Sequence, residues 1–196
     1  LVGSEMCIRD SLEIEQAGGL DAYGIDAKIE DVYNARLKEV ETRKHSLIGT
    51  NIYANPKDAL STVENAVYSD VLRLAKPFEA LRTTFAQNNA KIAILTYGEL
   101  KNYKPRADFV AGFFATAGVV PTQTEGFTSI EAAQNWLRET DANYVIISAT
   151  DEDTKQLVPA LLEAKPVHVI LDAAGRYKDE QQAWQEAGLN GFIAAG

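Results

Sequence analysis

Side chains able to do chemistry gather in one stretch of this sequence. ILTYGELKNYKPRADFV, residues 94–110, opens as an apolar strand and closes as a helix; between them stand Tyr97, Lys101, Asn102, Tyr103, Lys104 and Arg106. Cations beside a helix N-terminus can hold an anion, because the orphan N–H groups and the dipole favour negative charge there. The stretch lacks a glycine-rich phosphate cradle, Gly98 standing alone, and a solvated, positively biased loop accounts for the same residues. SATDEDTK, residues 148–155, reads as helix capping: Thr150 or Asp151 serves as N-cap, while Glu152 and Asp153 complement the dipole. Three acids at that end would repel a phosphate. In LDAAGRY, residues 171–177, Asp172 falls at an expected strand end, but one carboxylate without a paired base is no acid–base site. A phospho-receiver would need an acidic cluster after the first strand, where Glu99 is single. Of the two histidines, His168 reads as a mid-strand residue and His45 as a helix-to-strand junction. No metal-ligand spacing and no Ser/His/Asp arrangement is present, so neither a catalytic set nor a metal site is expected.

The elements that must position these residues alternate over 91–196. Strands are expected at 91–97, 119–124, 143–149, 166–172 and 190–194, and helices at about 105–117, 128–140, 152–164 and 177–187. The first, third and fourth strands are continuously apolar, as strands covered on both faces should be. Strands alternating with helices imply a parallel, doubly wound sheet with right-handed crossovers. The expected fold class is α/β with a flavodoxin-like five-stranded sheet in the order 2-1-3-4-5, lacking its last covering helix. Ligands of such sheets sit at the carboxyl ends of the strands beside the point where the order reverses, which is where residues 97–106 fall.

The preceding residues read differently. AKIEDVYNARLKEVETRK, residues 27–44, puts Ile29, Val32, Tyr33, Leu37 and Val40 on one helical face and pairs Glu39 with Arg43. HSLIGTNIY, residues 45–53, reads as a buried strand ended by Asn55-Pro56. One helix and one strand cannot bury each other, so residues 12–56 are expected to be the tail of a larger α/β structure and to expose apolar faces. Residues 57–90 read as a helical linker, with Val67, Val71, Leu74, Phe78, Leu81 and Phe85 at three- or four-residue steps. Pro77 inside that pattern must kink the helix or start a new one.

Composition bounds the rest. The chain has 196 residues, a net charge of −9 and an isoelectric point near 4.8, which argues against a nucleic-acid partner because phosphates need a basic face. No apolar run approaches the ~20 residues that span a bilayer, and no secretory signal is visible, so a cytoplasmic setting is expected. The lone cysteine rules out an internal disulfide. Cys7 and Met6, the only residues of their kinds, both lie in LVGSEMCIRDS. One coding of EMCIRDS contains the transposon end used in tagmentation libraries, so residues 1–11 read as translated adapter fused to a gene fragment.

Four stretches in order, EQAGGL, SLIGTNIYANP, RLAKPFEALR and KIAIL…GFFATAGV, resemble the C-terminal part of methylmalonyl-CoA mutases. RLAKPFEALR is the most specific of them. The resemblance implies that residues 12–56 are the remnant of an acyl-CoA-binding (β/α)8 barrel, 57–90 a helical linker, and 91–196 a cobalamin-binding-type domain. Catalytic chains of that family carry Asp-x-His-x-x-Gly after the first strand. There a neutral imidazole ligates cobalt, the Asp orients it, and the Gly lets the nucleotide tail pass. Counted back from FFATAGV, those positions hold Lys101, Tyr103 and Arg106. Ser148 matches the family's serine after the third strand, while the Gly-Gly after the fourth is replaced by Asp172 to Gly175. This pattern resembles the small subunit of the heterodimeric mutase. It implies a non-catalytic chain that binds no cobalamin, partnered by a large subunit carrying adenosylcobalamin. Two alternatives stand beside it: a stand-alone domain whose Lys101, Lys104 and Arg106 hold a small anion, and a subunit of a related acyl-CoA mutase.

Overall fold

The computed structural model describes residues 2–58 and 72–194, residues 2–8 as backbone only. Val67 and Val71 therefore lie outside the described residues.

The sheet domain matches the expected winding. Its strands are β1 (Ile92–Thr96), β2 (Thr122–Gln123), β3 (Tyr144–Ser148), β4 (Ile170–Ala174) and β5 (Gly191–Ile193), all parallel and ordered β2-β1-β3-β4-β5. One face packs against α6 (Ile130–Glu139), α7 (Asp151–Ala164) and α8 (Gln181–Glu186). Alternate strand residues Ala93, Leu95, Val145, Ile147, Leu171 and Ala173 meet Leu137, Leu157, Leu161 and Trp184 there. The other face carries Ile92, Ile94, Ile146, Ala174 and Ile193 under α5 (Leu100–Ala115), which contributes Tyr103, Ala107, Val110 and Phe114. Each large apolar side chain so buried stabilises the fold by about 1.5–3 kcal/mol, and the two-period alternation fixes which face it serves.

Several boundaries differ from the sequence reading. Helix α5 begins at Leu100, not 105, with Glu99 extended at its N-cap. Pro105 lies inside it and removes only the bond to the carbonyl of Lys101, an exposed residue. What reads as a long loop is thus three residues, 97–99. β4 begins at Ile170 rather than 166, because Val169 N–H bonds Pro166 O at 3.1 Å and closes a turn first. β2 shrinks to two residues after Pro121, which has no N–H for a ladder. α8 starts at Gln181, after a turn, instead of 177.

Upstream, the backbone forms α1 (Val2–Ala17), α2 (Leu20–Tyr23) and α3 (Ile25–Glu41). Val40 of α3 is fully buried, while Ile29 and Val32 stay half exposed and line a groove with Tyr33, Leu72 and Leu74. Residues 45–53 form turns rather than a buried strand. Asn51 is the cause: its Oδ1 accepts from Leu47 N at 2.8 Å, and its Nδ2 donates to Val40 O and His45 O at 2.6 and 2.9 Å. These bonds hold His45 and Leu47 in a local turn in competition with a strand ladder. Glu39 pairs with Lys44 at 3.7 Å and not with Arg43. Arg43 takes a left-handed φ of 59° and lays its guanidinium over Phe109 and Phe113 of α5.

Pro77 starts a helix, α4 (Lys76–Asn88), rather than kinking one. Arg82 of α4 donates to four carbonyls. Two belong to the end of α5 (Ala115 at 3.0 Å, Thr116 at 3.1 Å) and two to the turn at 55–58 (Asn55 at 3.1 Å, Asp58 at 3.2 Å). Among the described residues, no helix is long and apolar enough to cross a membrane.

Candidate functional site

The order reverses between β1 and β3, so the crevice of this sheet lies over their carboxyl ends, bounded by 97–99, the segment after β2, the β3–α7 junction and the β4–α8 loop. α5 runs directly from this crevice, and two of its side chains occupy it.

Tyr103 is buried and lies against Gly126, where a Cβ would fall 2.5 Å from its Cε1 and 2.4 Å from Gly98 O. Glycine is therefore required opposite the tyrosine ring. Ser148, fully buried, donates from Oγ to Tyr103 O at 3.2 Å. The serine at the end of β3 thus serves the backbone of α5 and stands directly behind Tyr103.

Arg106 spans the crevice. Its Nη1 donates to Ala149 O and to the Tyr177 hydroxyl at 2.9 Å, and its Nη2 bonds the Asp151 carboxylate. One side chain from α5 is thereby tied to the ends of both β3 and β4. Tyr177 folds back over Gly175, whose φ of +130° turns the chain after β4. Its ring lies tilted against those of Trp184 and Phe192, with centroids 5.1 and 6.0 Å away. The hydrogen bond from Arg106, aided by its charge, holds Asp151 below the usual carboxylate range, and burial pushes the Tyr177 phenol up.

The other expected cations are engaged with acids. Lys101 pairs with Glu99 at 2.7 Å and Lys104 with Asp108 at 2.8 Å, both on the exposed face of the α5 N-terminus. Lys101 and Lys104 thus bond acids of their own segment, while Arg106 bonds across the crevice. The capping expectation holds at Thr150, whose Oγ1 accepts from Asp153 N at 3.1 Å and donates to Asp153 Oδ2 at 2.7 Å.

Asp172 and the histidines fall elsewhere. Because β4 is displaced, Asp172 sits in mid-strand and buried, not at the strand end. It accepts from the Tyr144 hydroxyl at 2.5 Å and from Asn190 Nδ2 at 3.2 Å, beside Gly191 of β5. Burial first, then the bond to this carboxylate, pushes the Tyr144 phenol well above its ordinary value. His168 lies in the exposed turn before β4 rather than in mid-strand, and His45 is exposed after α3. No group of three or more metal-capable side chains is found among the described residues.

Reading the sequence missed Asp151 as a partner for Arg106, missed Tyr177, and missed Gly126 opposite Tyr103. Asp151 carried the one usable signal: an acid at the start of the helix after β3 must lie near whatever the first helix projects over the crevice. Nothing in the spacing of Gly126 or Tyr177 pointed to Tyr103 or Arg106.

Fold and crevice together define an α/β domain of the flavodoxin-like type, the architecture of cobalamin-binding domains. No family model matches the chain. The methylmalonyl-CoA mutase small subunit of Porphyromonas gingivalis (strain ATCC BAA-308 / W83) is similar, at 29% identity over 171 residues. That match covers 78% of this chain and 28% of the relative, so the chain spans under a third of its length.

Proposed function

We propose that this chain is the C-terminal part of a mutase small subunit. It acts by association with a cobalamin-carrying large subunit, in a cytoplasmic heterodimer that interconverts succinyl-CoA and methylmalonyl-CoA. The similarity to a methylmalonyl-CoA mutase small subunit motivates the assignment. The observation that carries the non-catalytic role is the crevice, where Tyr103 and Arg106 stand at its centre and bond or pack across it.

The residues present do not fit a cobalamin. A cobalt ligand requires a neutral imidazole held by an acceptor. The position offers instead a buried phenol wedged against Gly126, with Lys101 turned to Glu99. Where the family's Gly lets the nucleotide tail pass, the resemblance puts Arg106, whose side chain spans the crevice. The chain's contribution is then to keep a ligand-domain shape with its ligand site filled from within, leaving its outer surfaces for the partner.

Incubating the purified chain with hydroxocobalamin and desalting it should leave no corrin absorption with the protein. Stoichiometric retained cobalamin would overturn the reading. Co-expression with a large mutase subunit should give a heterodimer stable to gel filtration, and two chains that elute apart would refute the association.

A further inference from the structure

Asn-Gly occurs once in the chain, at Asn190–Gly191, where β5 begins. Asparagine is chemically labile, and a following glycine, having no Cβ, leaves its own nitrogen open to approach. The fold does not demand that glycine. Gly191 takes no left-handed φ, and a Cβ built on it would meet its nearest neighbour, Asp172 Oδ2, at an ordinary 3.6 Å. Asn190 itself is exposed.

The place of Asn190 in the fold gives its loss a consequence. Its Nδ2 donates to Oδ1 of the buried Asp172 at 3.2 Å, and its N–H donates to Leu171 O at 2.9 Å. Tyr144 donates to the other carboxylate oxygen. Side chain and backbone of Asn190 therefore both fasten the entry of β5 to β4, and Asp172 stands opposite Gly191 in the register of the two strands. β5 is an edge strand of three residues, paired with β4 on one side.

We propose that Asn190–Gly191 is a site of spontaneous deamidation, and that its conversion loosens β5 from β4. The Gly191 nitrogen attacks Asn190 Cγ and forms an N–Cγ bond. The Cγ–Nδ2 bond breaks, and ammonia leaves with the proton given up by the Gly191 nitrogen. Water then opens the cyclic imide at either carbonyl, giving aspartate or isoaspartate. Aspartate sets a second carboxylate beside that of Asp172 where a donor stood, and like charges so close repel. Isoaspartate routes the main chain through the side-chain carbons, which lengthens it between the N–H on Leu171 O and the residue opposite Asp172. The reaction needs no partner subunit and no ligand, so it stands apart from the association role.

Ageing the whole chain in warm, mildly alkaline buffer and mapping its peptides by mass spectrometry tests it. The peptide holding residue 190 should gain one mass unit ahead of every other asparagine peptide, part of it as isoaspartate. Gly191→Ala should lose that lead. Asn190→Asp, which makes one product directly, should melt about 4 °C or more below the native chain. Both that variant and the aged chain should exchange the amide hydrogens of β5 faster while β1 and β3 stay protected. The aged chain gives this reading even where the variant does not fold. The proposal falls if the residue 190 peptide gains mass no faster than the others, or if Gly191→Ala keeps the lead. It falls equally if the aged chain exchanges β5 as the fresh chain does.

Discussion

Arg106 joins α5 to the ends of β3 and β4 through one side chain. Arg106→Ala should cost about 1–3 kcal/mol in urea unfolding at neutral pH, because two hydrogen bonds, an ion pair and the packing of the stem go together. Part of that cost is ionic and follows pH. Asp151 has a folded pKa below its unfolded one, so its stabilisation is present above the ordinary carboxylate value of about 4 and is lost as pH falls through the lower folded value. The gap between native and Arg106→Ala chains should therefore narrow below about pH 4, by no more than about 1 kcal/mol because Asp151 is largely exposed. A gap that stays constant down to pH 3 or so would assign the whole effect to the neutral bonds.

At the scale of elements, β3 and β4 are locked by polar as well as apolar contacts. Tyr144→Phe should destabilise the domain by about 1–2 kcal/mol, since it leaves the buried Asp172 carboxylate with Asn190 as its side-chain donor. Adding Asp172→Asn should recover part of that loss in the same thermal melts, because an amide is cheaper to bury than an underpaired charge. This pair also shows where sequence reading stops. The sheet order and the helix alternation were legible because strands such as IAIL and YVII are apolar throughout, and because Thr150 caps the helix after β3. The register of β4 was not. PVHVILD looks uniformly strand-like, and only the Pro166–Val169 turn decides that the strand starts four residues on, moving Asp172 from edge to interior and His168 out to solvent. The crevice was half legible. Its position followed from topology, and Tyr103 and Arg106 lie in it, while Lys101 is turned to Glu99 on the exposed face of α5. The partners of Tyr103 and Arg106 came from loops distant in sequence, which no local pattern encodes. HSLIGTNIY failed for a related reason: its apolar spacing suits a strand, but Asn51 spends its amide on three local backbone groups.

For the whole molecule, Arg82 is the tie between α4, the turn at 55–58 and the sheet domain. Its positive charge also faces the negative end of the α5 dipole. Arg82→Ala should speed amide hydrogen exchange in residues 55–58 and at the end of α5 while leaving β1, β3 and β4 protected. Arg82→Lys should not restore protection, because an ammonium has no planar fork to reach carbonyls on two segments. Equal loss of protection in the strands would mean that α4 and the sheet unfold as one unit. The Arg106 clamp, finally, gives mutation a direction. Replacing Arg106 alone strips Ala149 O, Asp151 and Tyr177 of a shared partner while Tyr103 still blocks the space beside Gly126. Replacing Tyr103 alone empties a buried site that Arg106 still spans. Neither single replacement clears the crevice, and each should lower stability, so the two side chains guard the closed arrangement as a pawl holds a wheel.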